Sequence, residues 1–72
     1  MKLDPIAGSS VIKAAGYDPA TNVMRVELHS GKVYDHTDVP MEKFAAFLGS
    51  GSHGTFWNKK IRNQYTVKAV KK

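Results

Sequence analysis

A change of hydrophobic period at Pro40 most limits what this chain can fold into. Before Pro40, Met24, Val26 and Leu28 alternate with polar neighbours within residues 23–29, and a period of two is typical of a strand with one buried face. After Pro40, apolar residues recur every three or four positions, as in an amphipathic helix. Because a chain of 72 residues has room for a single core, strands and helices must share it. The predicted class is α+β.

Three short segments before Pro40 are predicted to form an antiparallel meander: residues 10–17, 23–29 and 32–36. Asp18-Pro19 between the first two is typical of a type I turn, and Ser30-Gly31 provides a tight reversal between the last two. The register of the second hairpin stays open. A two-residue turn places Tyr34 and His36 on the outer, polar face, whereas a three-residue turn with a bulge shifts the register and directs Tyr34 to the core.

Two short helices are predicted to pack against this meander. Pro40 suits a first helical position, and Gly49 ends the first helix. Its apolar stripe consists of Met41, Phe44, Phe47 and Leu48. The second helix begins after Ser52, whose hydroxyl we expect to accept a hydrogen bond from a backbone N–H near Gly54 or Thr55.

The second helix is predicted to divide into a buried and an exposed face. Trp57, Ile61 and Tyr65 are spaced at i, i+4 and i+8, so they share the face that holds the helix on the sheet. Lys59 and Arg62 then lie on the opposite face, and Lys60 flanks the apolar stripe. The helix is expected to use its aromatic residues for packing and its basic residues for contact with a partner.

The two ends of the chain are predicted to lie outside a central domain of residues 9–65. Residues 1–8 are interpreted as an N-terminal arm, and residues 66–72 as either a short strand or a basic tail. Residues 1–8 contain no apolar run typical of a signal peptide or a membrane span. We therefore expect a soluble, cytoplasmic protein, and the absence of cysteine excludes disulfides and thiolate metal sites.

Charge is distributed unevenly along the sequence. Residues 1–40 carry four basic and five acidic residues, a net charge of −1, whereas residues 41–72 carry seven basic residues and one acid, a net charge of +6. Clustered lysine and arginine favour a polyanionic partner, because they release counterions from a phosphate backbone. The alternative is a solvated basic end that maintains solubility.

An ordered set of residues across most of the chain resembles the KTSC domain family, a small module found at the C-terminus of some lysyl-tRNA synthetases and as separate bacterial or phage proteins. The residues are Ser9-Ser10, Ile12, Gly16-Tyr17, Met24, Val26, Leu28, Ser30-Gly31, Tyr34, His36, Val39-Pro40, Phe44, Ser52, Gly54, Phe56-Trp57-Asn58 and Ile61-Arg62. The resemblance implies a compact α+β domain. It implies no settled activity, since the family is of unknown function and RNA binding is proposed for it from context. The family's Tyr-x-Tyr is Tyr34-x-His36 here, and the basic residues after Tyr65 lie outside the shared module.

Catalysis and cofactor binding are not expected. The histidines show no metal-ligand spacing. Asp35 and His36 are neighbours on one strand, so their side chains point to opposite faces and cannot act as a base and its orienting group. Ser9-Ser10 lacks the glycines of a nucleophile elbow. The expected function is therefore binding.

The sequence predicts a nucleic-acid-binding surface in the second half of the chain, with RNA or another polyanion as the partner. Phosphate contacts are assigned to the basic residues Lys59, Lys60, Arg62, Lys68, Lys71 and Lys72. Ser52 and Gly54 at the start of the second helix, with Asn58, are candidates for an anion seat, against the alternative of a plain capped turn in which Gly54 permits close packing. Tyr34 and His36 complete the candidate set, with Tyr34 as a stacking platform if it is exposed. A second hypothesis is a protein–protein interaction module, such as a phage protein that docks on a host factor.

Overall fold

The computed structural model describes residues 2–70. The elements are β1 (Asp4–Pro5), β2 (Ile12–Asp18), β3 (Val23–Leu28), β4 (Val33–His36), α1 (Met41–Leu48), α2 (His53–Phe56), a π-helix (Trp57–Arg62) that continues α2, and β5 (Val67–Val70). The strands form one antiparallel sheet in the order β1-β2-β3-β4-β5. The predicted α+β class is confirmed, with its meander (β2 to β4), two helices and C-terminal strand.

The N-terminal segment is part of the sheet, which the sequence did not predict. β1 pairs with β2 through Asp4↔Ala15 and Pro5↔Ala14, and Ile6 is buried in the core. The segment crosses close to Gly16, where a Cβ atom would overlap the Lys2 carbonyl oxygen. Glycine is required there because only a residue without a side chain admits this crossing.

The β3–β4 hairpin has the bulged register. The backbone N–H of Leu28 donates to Lys32 O at 2.8 Å, and Gly31 has φ = +96°, so three residues form the loop. This geometry favours glycine because the left-handed region is strained for other residues. The resulting pairs are Val26↔Tyr34 and Met24↔His36, which turn Tyr34 and His36 toward the core.

β2 departs from the strict alternation of side chains that is typical of a strand. Alternation would place Ala15 on the face opposite Ile12 and Ala14, but the structure buries all three residues. The register with β3 shifts between Ile12 and Ala14. An irregularity of this kind reorients the residues that follow it, because strand residues otherwise alternate strictly between faces.

The apolar stripe predicted for α1 is only partly buried. Phe47 is completely buried, but Met41 is 58 % exposed and Leu48 is 46 % exposed. Pro40 occupies the N-cap position rather than the first turn, and Gly49 is the C-cap. The prediction that these two apolar residues pack against the sheet is therefore wrong, and they leave an apolar strip on the surface.

The second helical segment confirms its predicted anchor. Trp57 and Ile61 are buried, and Tyr65 packs against the same core with partial exposure. The segment is a π-helix from Trp57 onward rather than a regular α-helix. Because a π-turn closes between residues i and i+5, Arg62 is brought to the side of Trp57, and its predicted position on the opposite face is wrong.

Candidate anion-binding groove

A groove of about 690 Å³ lies between the loop before β2 and the second helical segment. It is formed by two stretches of chain: residues 7–11 on one side, and residues 51–55, 57–59 and 62 on the other. Its lining contains hydroxyl and amide groups from Ser9, Ser10, Ser52, Thr55 and Asn58. We refer to this surface as the groove.

Two of the predicted phosphate-binding residues meet in the groove. Lys59 and Arg62 both line it and are solvent-exposed, and none of the described residues that line it is an aspartate or glutamate. Within the described part of the chain, Lys59 makes no ion pair. The groove therefore offers two positive charges without a neighbouring carboxylate to neutralise them, which suits an anionic ligand.

Arg62 is oriented by its neighbours. Its guanidinium carbon lies 5.6 Å from the centroid of the Trp57 ring, within the range of a cation–π contact. Its Nη1 donates to Asn58 Oδ1 at 3.3 Å. Asn58 is thus a support for Arg62, and the planar guanidinium is held with donors left over for a ligand.

Trp57 in turn is fixed by His36. The indole Nε1–H donates to His36 Nε2 at 2.8 Å, and this bond is buried. The Tyr34 ring stacks on Trp57 with centroids 6.3 Å apart. The three rings come from β4 and the π-helix, so this cluster joins the basic helical segment to the sheet.

His36 is held in its neutral form. Its exposure is 0 %, and burial lowers its pKa below the ordinary value of 6.5. The charge of Asp35 acts in the opposite direction and raises this pKa, while the charge of Arg62 lowers it. Nδ1 has no hydrogen-bond partner among the described residues. His36 is therefore a structural acceptor and cannot touch a ligand at the surface, which corrects its place among the predicted contact residues.

The start of α2 differs from its predicted cap. Ser52 is the N-cap residue, but its hydroxyl donates to Thr55 Oγ1 at 3.0 Å and makes no hydrogen bond with the backbone. A Cβ atom on Gly54 would lie 3.4 Å from Val11 Cβ and 3.6 Å from Ser9 Oγ. These are ordinary contacts, so the close packing of α2 on the loop does not require a glycine.

The other predicted contact residues within residues 2–70 do not line the groove. Lys60 lines an adjoining depression of about 200 Å³, which shares Ser52, Thr55 and Lys59 with the groove. Lys68 pairs with Asp35 across β4 and β5, on the sheet face opposite His36, where Asp35 binds Arg25 at 2.7 Å. Tyr34 is half-buried and packs on the core. Lys71 and Lys72 fall outside the described residues.

The two remaining histidines each place Nε2 near a backbone carbonyl oxygen. His29 is exposed, with Nε2 3.0 Å from Ser9 O, while His53 lines the groove with Nε2 3.2 Å from Leu48 O. Among residues 2–70 there is no group of three His, Cys, Asp or Glu side chains that could hold a metal ion. Nor is any described helix long and apolar enough to cross a membrane.

Sequence reasoning missed one wall of the groove. Ser9 and Ser10 were considered only as nucleophiles, yet Ser9 Oγ accepts hydrogen bonds from the N–H groups of Val11 and Ile12 and shapes the loop that faces α2. The signal was present, because the serine pair and Ser52-x-Gly54 belong to the same ordered pattern. Their proximity depends on the packing of α2 over the start of β2.

Comparison with known proteins agrees with the pattern seen in the sequence. A family model described as KTSC domain matches residues 8–65. A protein of Tsukamurella paurometabola is 36 % identical over 62 residues, covering 86 % of this chain and 92 % of its own. An uncharacterized protein of Stutzerimonas stutzeri is 35 % identical over 57 residues, covering 79 % and 80 %.

Two further matches are a tRNA ligase and a solved crystal structure. A lysine–tRNA ligase of Nostoc sp. is 32 % identical over 56 residues, which is 78 % of this chain but 10 % of the ligase. The crystal structure of a KTSC domain protein from Yersinia pestis superimposes with a TM-score of 0.92, covers 97 % of both chains and shares 23 % identity. That last likeness concerns the fold alone.

Proposed function

The chain belongs to the KTSC domain family, and we propose that it is a non-catalytic module that binds RNA, or another single-stranded nucleic acid, through phosphate contacts in the groove. The observation that carries the proposal is the pair Lys59 and Arg62 in a groove lined by hydroxyl and amide groups and, among residues 2–70, by no carboxylate. The match to a region of a lysine–tRNA ligase supports an RNA partner. The proposed setting is the cytoplasm of a bacterium or of a phage-infected host.

The groove favours phosphate contact over base stacking. Trp57 and Tyr34 are used in the core, so the aromatic platforms typical of single-strand binders are not free. Lys59 supplies a mobile point charge, and Arg62 supplies a planar fork that matches two phosphate oxygens. A binder of this kind gains affinity with little sequence preference, because phosphate contacts position a strand without reading its bases.

Salt dependence gives the proposal a magnitude. Two phosphate contacts on a single strand give a slope of log K against log salt of about −1.4. Between about 50 mM and about 200 mM salt, the affinity should then fall about sevenfold. A larger slope would indicate that Lys60 also contacts phosphate.

The test is an NMR titration of the labelled protein with a short oligouridylate at these two salt concentrations. We expect backbone shifts at residues 52–62 and a large loss of affinity in a Lys59→Gln/Arg62→Gln double variant. The charge-matched control is Lys13→Gln/Lys32→Gln, because both lysines are exposed and lie outside the groove. If residues 52–62 show no shift at low salt, or if both double variants lose affinity equally, the proposal is wrong.

A protein partner remains the second candidate, because α1 exposes Met41 and Leu48. Contiguous apolar patches mark contact surfaces, and Met41 and Leu48 lie two turns apart on the same face of α1. This function predicts that the protein partner binds with an affinity that changes little with salt and is lowered by Met41→Ser/Leu48→Ser. Retention of oligouridylate binding in that variant would leave the groove as the nucleic-acid site.

A further inference from the structure

The hydrogen bond between Trp57 and His36 fixes the protonation state of a buried ring. An indole N–H can only donate, so His36 Nε2 must accept and carry no proton. The neutral ring therefore holds its proton on Nδ1. An imidazolium has an N–H at both positions, which would set two donors against each other at 2.8 Å.

We propose that His36 is a positioning residue for phosphate binding. Its neutral ring fixes Trp57 beneath Arg62, and its protonation releases Trp57 and lowers the affinity of the groove for phosphate. This inference rests on the proposed function, since it concerns the regulation of the same groove. His36 acts through Trp57 and contacts no ligand itself.

The charge of Asp35 favours a protonated His36, but this carboxylate does not contact the ring. Asp35 points to the outer face and is bound to Arg25 at 2.7 Å. Opposite His36, β3 presents Met24 and β5 presents Val67, neither of which titrates. The helical side contributes Arg62, whose positive charge opposes protonation. A proton on Nε2 therefore breaks the hydrogen bond to Trp57, because Nε2 can then no longer accept from the indole N–H.

The path from His36 to the groove is short. The Trp57 ring is the surface over which Arg62 lies, at 5.6 Å, and Trp57 itself lines the groove. Movement of the ring removes the cation–π contact and leaves Arg62 with Asn58 as its support. Lys59 does not depend on the ring, so the groove is expected to lose the arginine fork and to keep the lysine charge.

The first experiment needs no ligand. Trp57 is the only tryptophan, so its indole ¹H–¹⁵N signal and its fluorescence can be followed from about pH 8 to about pH 5, the range in which histidines titrate. We expect both to change with the titration of the His36 ring signals. His36→Gln, which keeps a neutral acceptor, should abolish the change, while His29→Gln and His53→Gln should retain it. An indole signal that stays constant while His36 titrates would overturn the inference without any variant.

The second experiment measures affinity for oligouridylate. His53 also lines the groove, so His53→Gln serves as the background, in which His36 is the histidine under test. In that background we expect about a tenfold loss of affinity between about pH 7.5 and about pH 5.5, the size of one charge-assisted contact. Adding His36→Gln or Arg62→Gln should remove this pH dependence.

The outcomes separate the two proposals. Binding that is intact but independent of pH in the His53→Gln background refutes the role of His36 and leaves the proposed function standing. Absence of oligouridylate binding at both pH values refutes the proposed function and the phosphate part of this inference. In that case the indole titration still decides whether His36 controls the position of Trp57.

Discussion

Gly54→Ala is expected to stabilise the protein while narrowing the groove. Gly54 lies in the first turn of α2 and lines the groove, and its φ is not in the positive range that favours glycine. The added Cβ would meet Val11 Cβ and Cγ2 at 3.4 Å and Ser9 Oγ at 3.6 Å. The site therefore has space for a methyl group, but the methyl would occupy the floor between α2 and the loop.

The size of the effect follows from the helix. Alanine in place of glycine within a helix is worth about 0.5–1 kcal/mol, because the unfolded chain loses conformational freedom. The contacts at 3.4 Å reduce this gain by a few tenths of a kcal/mol at most. For a domain of this size, the melting temperature should rise by about 2–6 °C.

The measurement is thermal unfolding followed by circular dichroism, with oligouridylate affinity as the second readout. Gly51→Ala is the matched control: it also lines the groove, but it lies outside the helix and its Cβ would meet nothing within 4 Å. We expect both variants to melt higher, because neither position has a positive φ and both substitutions restrict the unfolded chain, and Gly54→Ala alone to bind more weakly. A Gly54→Ala variant that melts below the wild type would show that α2 needs the glycine for packing, and the reasoning would fail.

Two further predictions concern the fold. Gly16→Ala should lower the unfolding free energy by about 1–3 kcal/mol, because a Cβ there overlaps the N-terminal segment where it crosses β2. In a chain that lacks residues 2 and 3, the substitution should have no such cost. Urea denaturation measures both, and an equal cost in the two chains would contradict this explanation. Because the pKa of His36 is lowered in the folded state, the unfolded state binds the extra proton as pH falls below about 6.5. The contribution of His36 to the unfolding free energy is then constant above that pH and should decrease below it by up to about 1.4 kcal/mol per pH unit. His36→Gln should remove this component, and parallel pH profiles for the two proteins would refute the assignment.

Hydrophobic period predicted the elements and the main anchors of the fold. Two patterns were sufficient to predict a strand and a helix: the alternation in residues 23–29, and the spacing of Trp57 and Ile61. Each reflects a single buried face. The register of the second hairpin was left open. The local sequence permits Gly31 to lie in either a two-residue or a three-residue loop. The packing of His36 in the core selects the three-residue loop.

Other features depend on contacts between distant parts of the chain. β1 has two residues, too few to produce a period, and it exists because Gly16 lets the N-terminal segment approach β2. The π-helix has no periodic signature of its own, so the position of Arg62 over Trp57 could not be read from spacing. One side of the groove consists largely of residues that the sequence analysis named, Ser52, Gly54, Asn58, Lys59 and Arg62. The loop of Ser9 and Ser10 faces them only in the folded protein.

The strand order has a consequence for how the molecule assembles. Each of the pairs β1–β2, β2–β3 and β3–β4 joins neighbouring segments, but β4 and β5 are separated by both helical segments. Closing a loop of that length carries a larger entropic penalty than closing a hairpin. The hairpins can thus form first, and the β4–β5 pairing completes the sheet only when the helical insertion has docked. The groove exists only after the helical insertion has docked, because one of its walls belongs to that insertion.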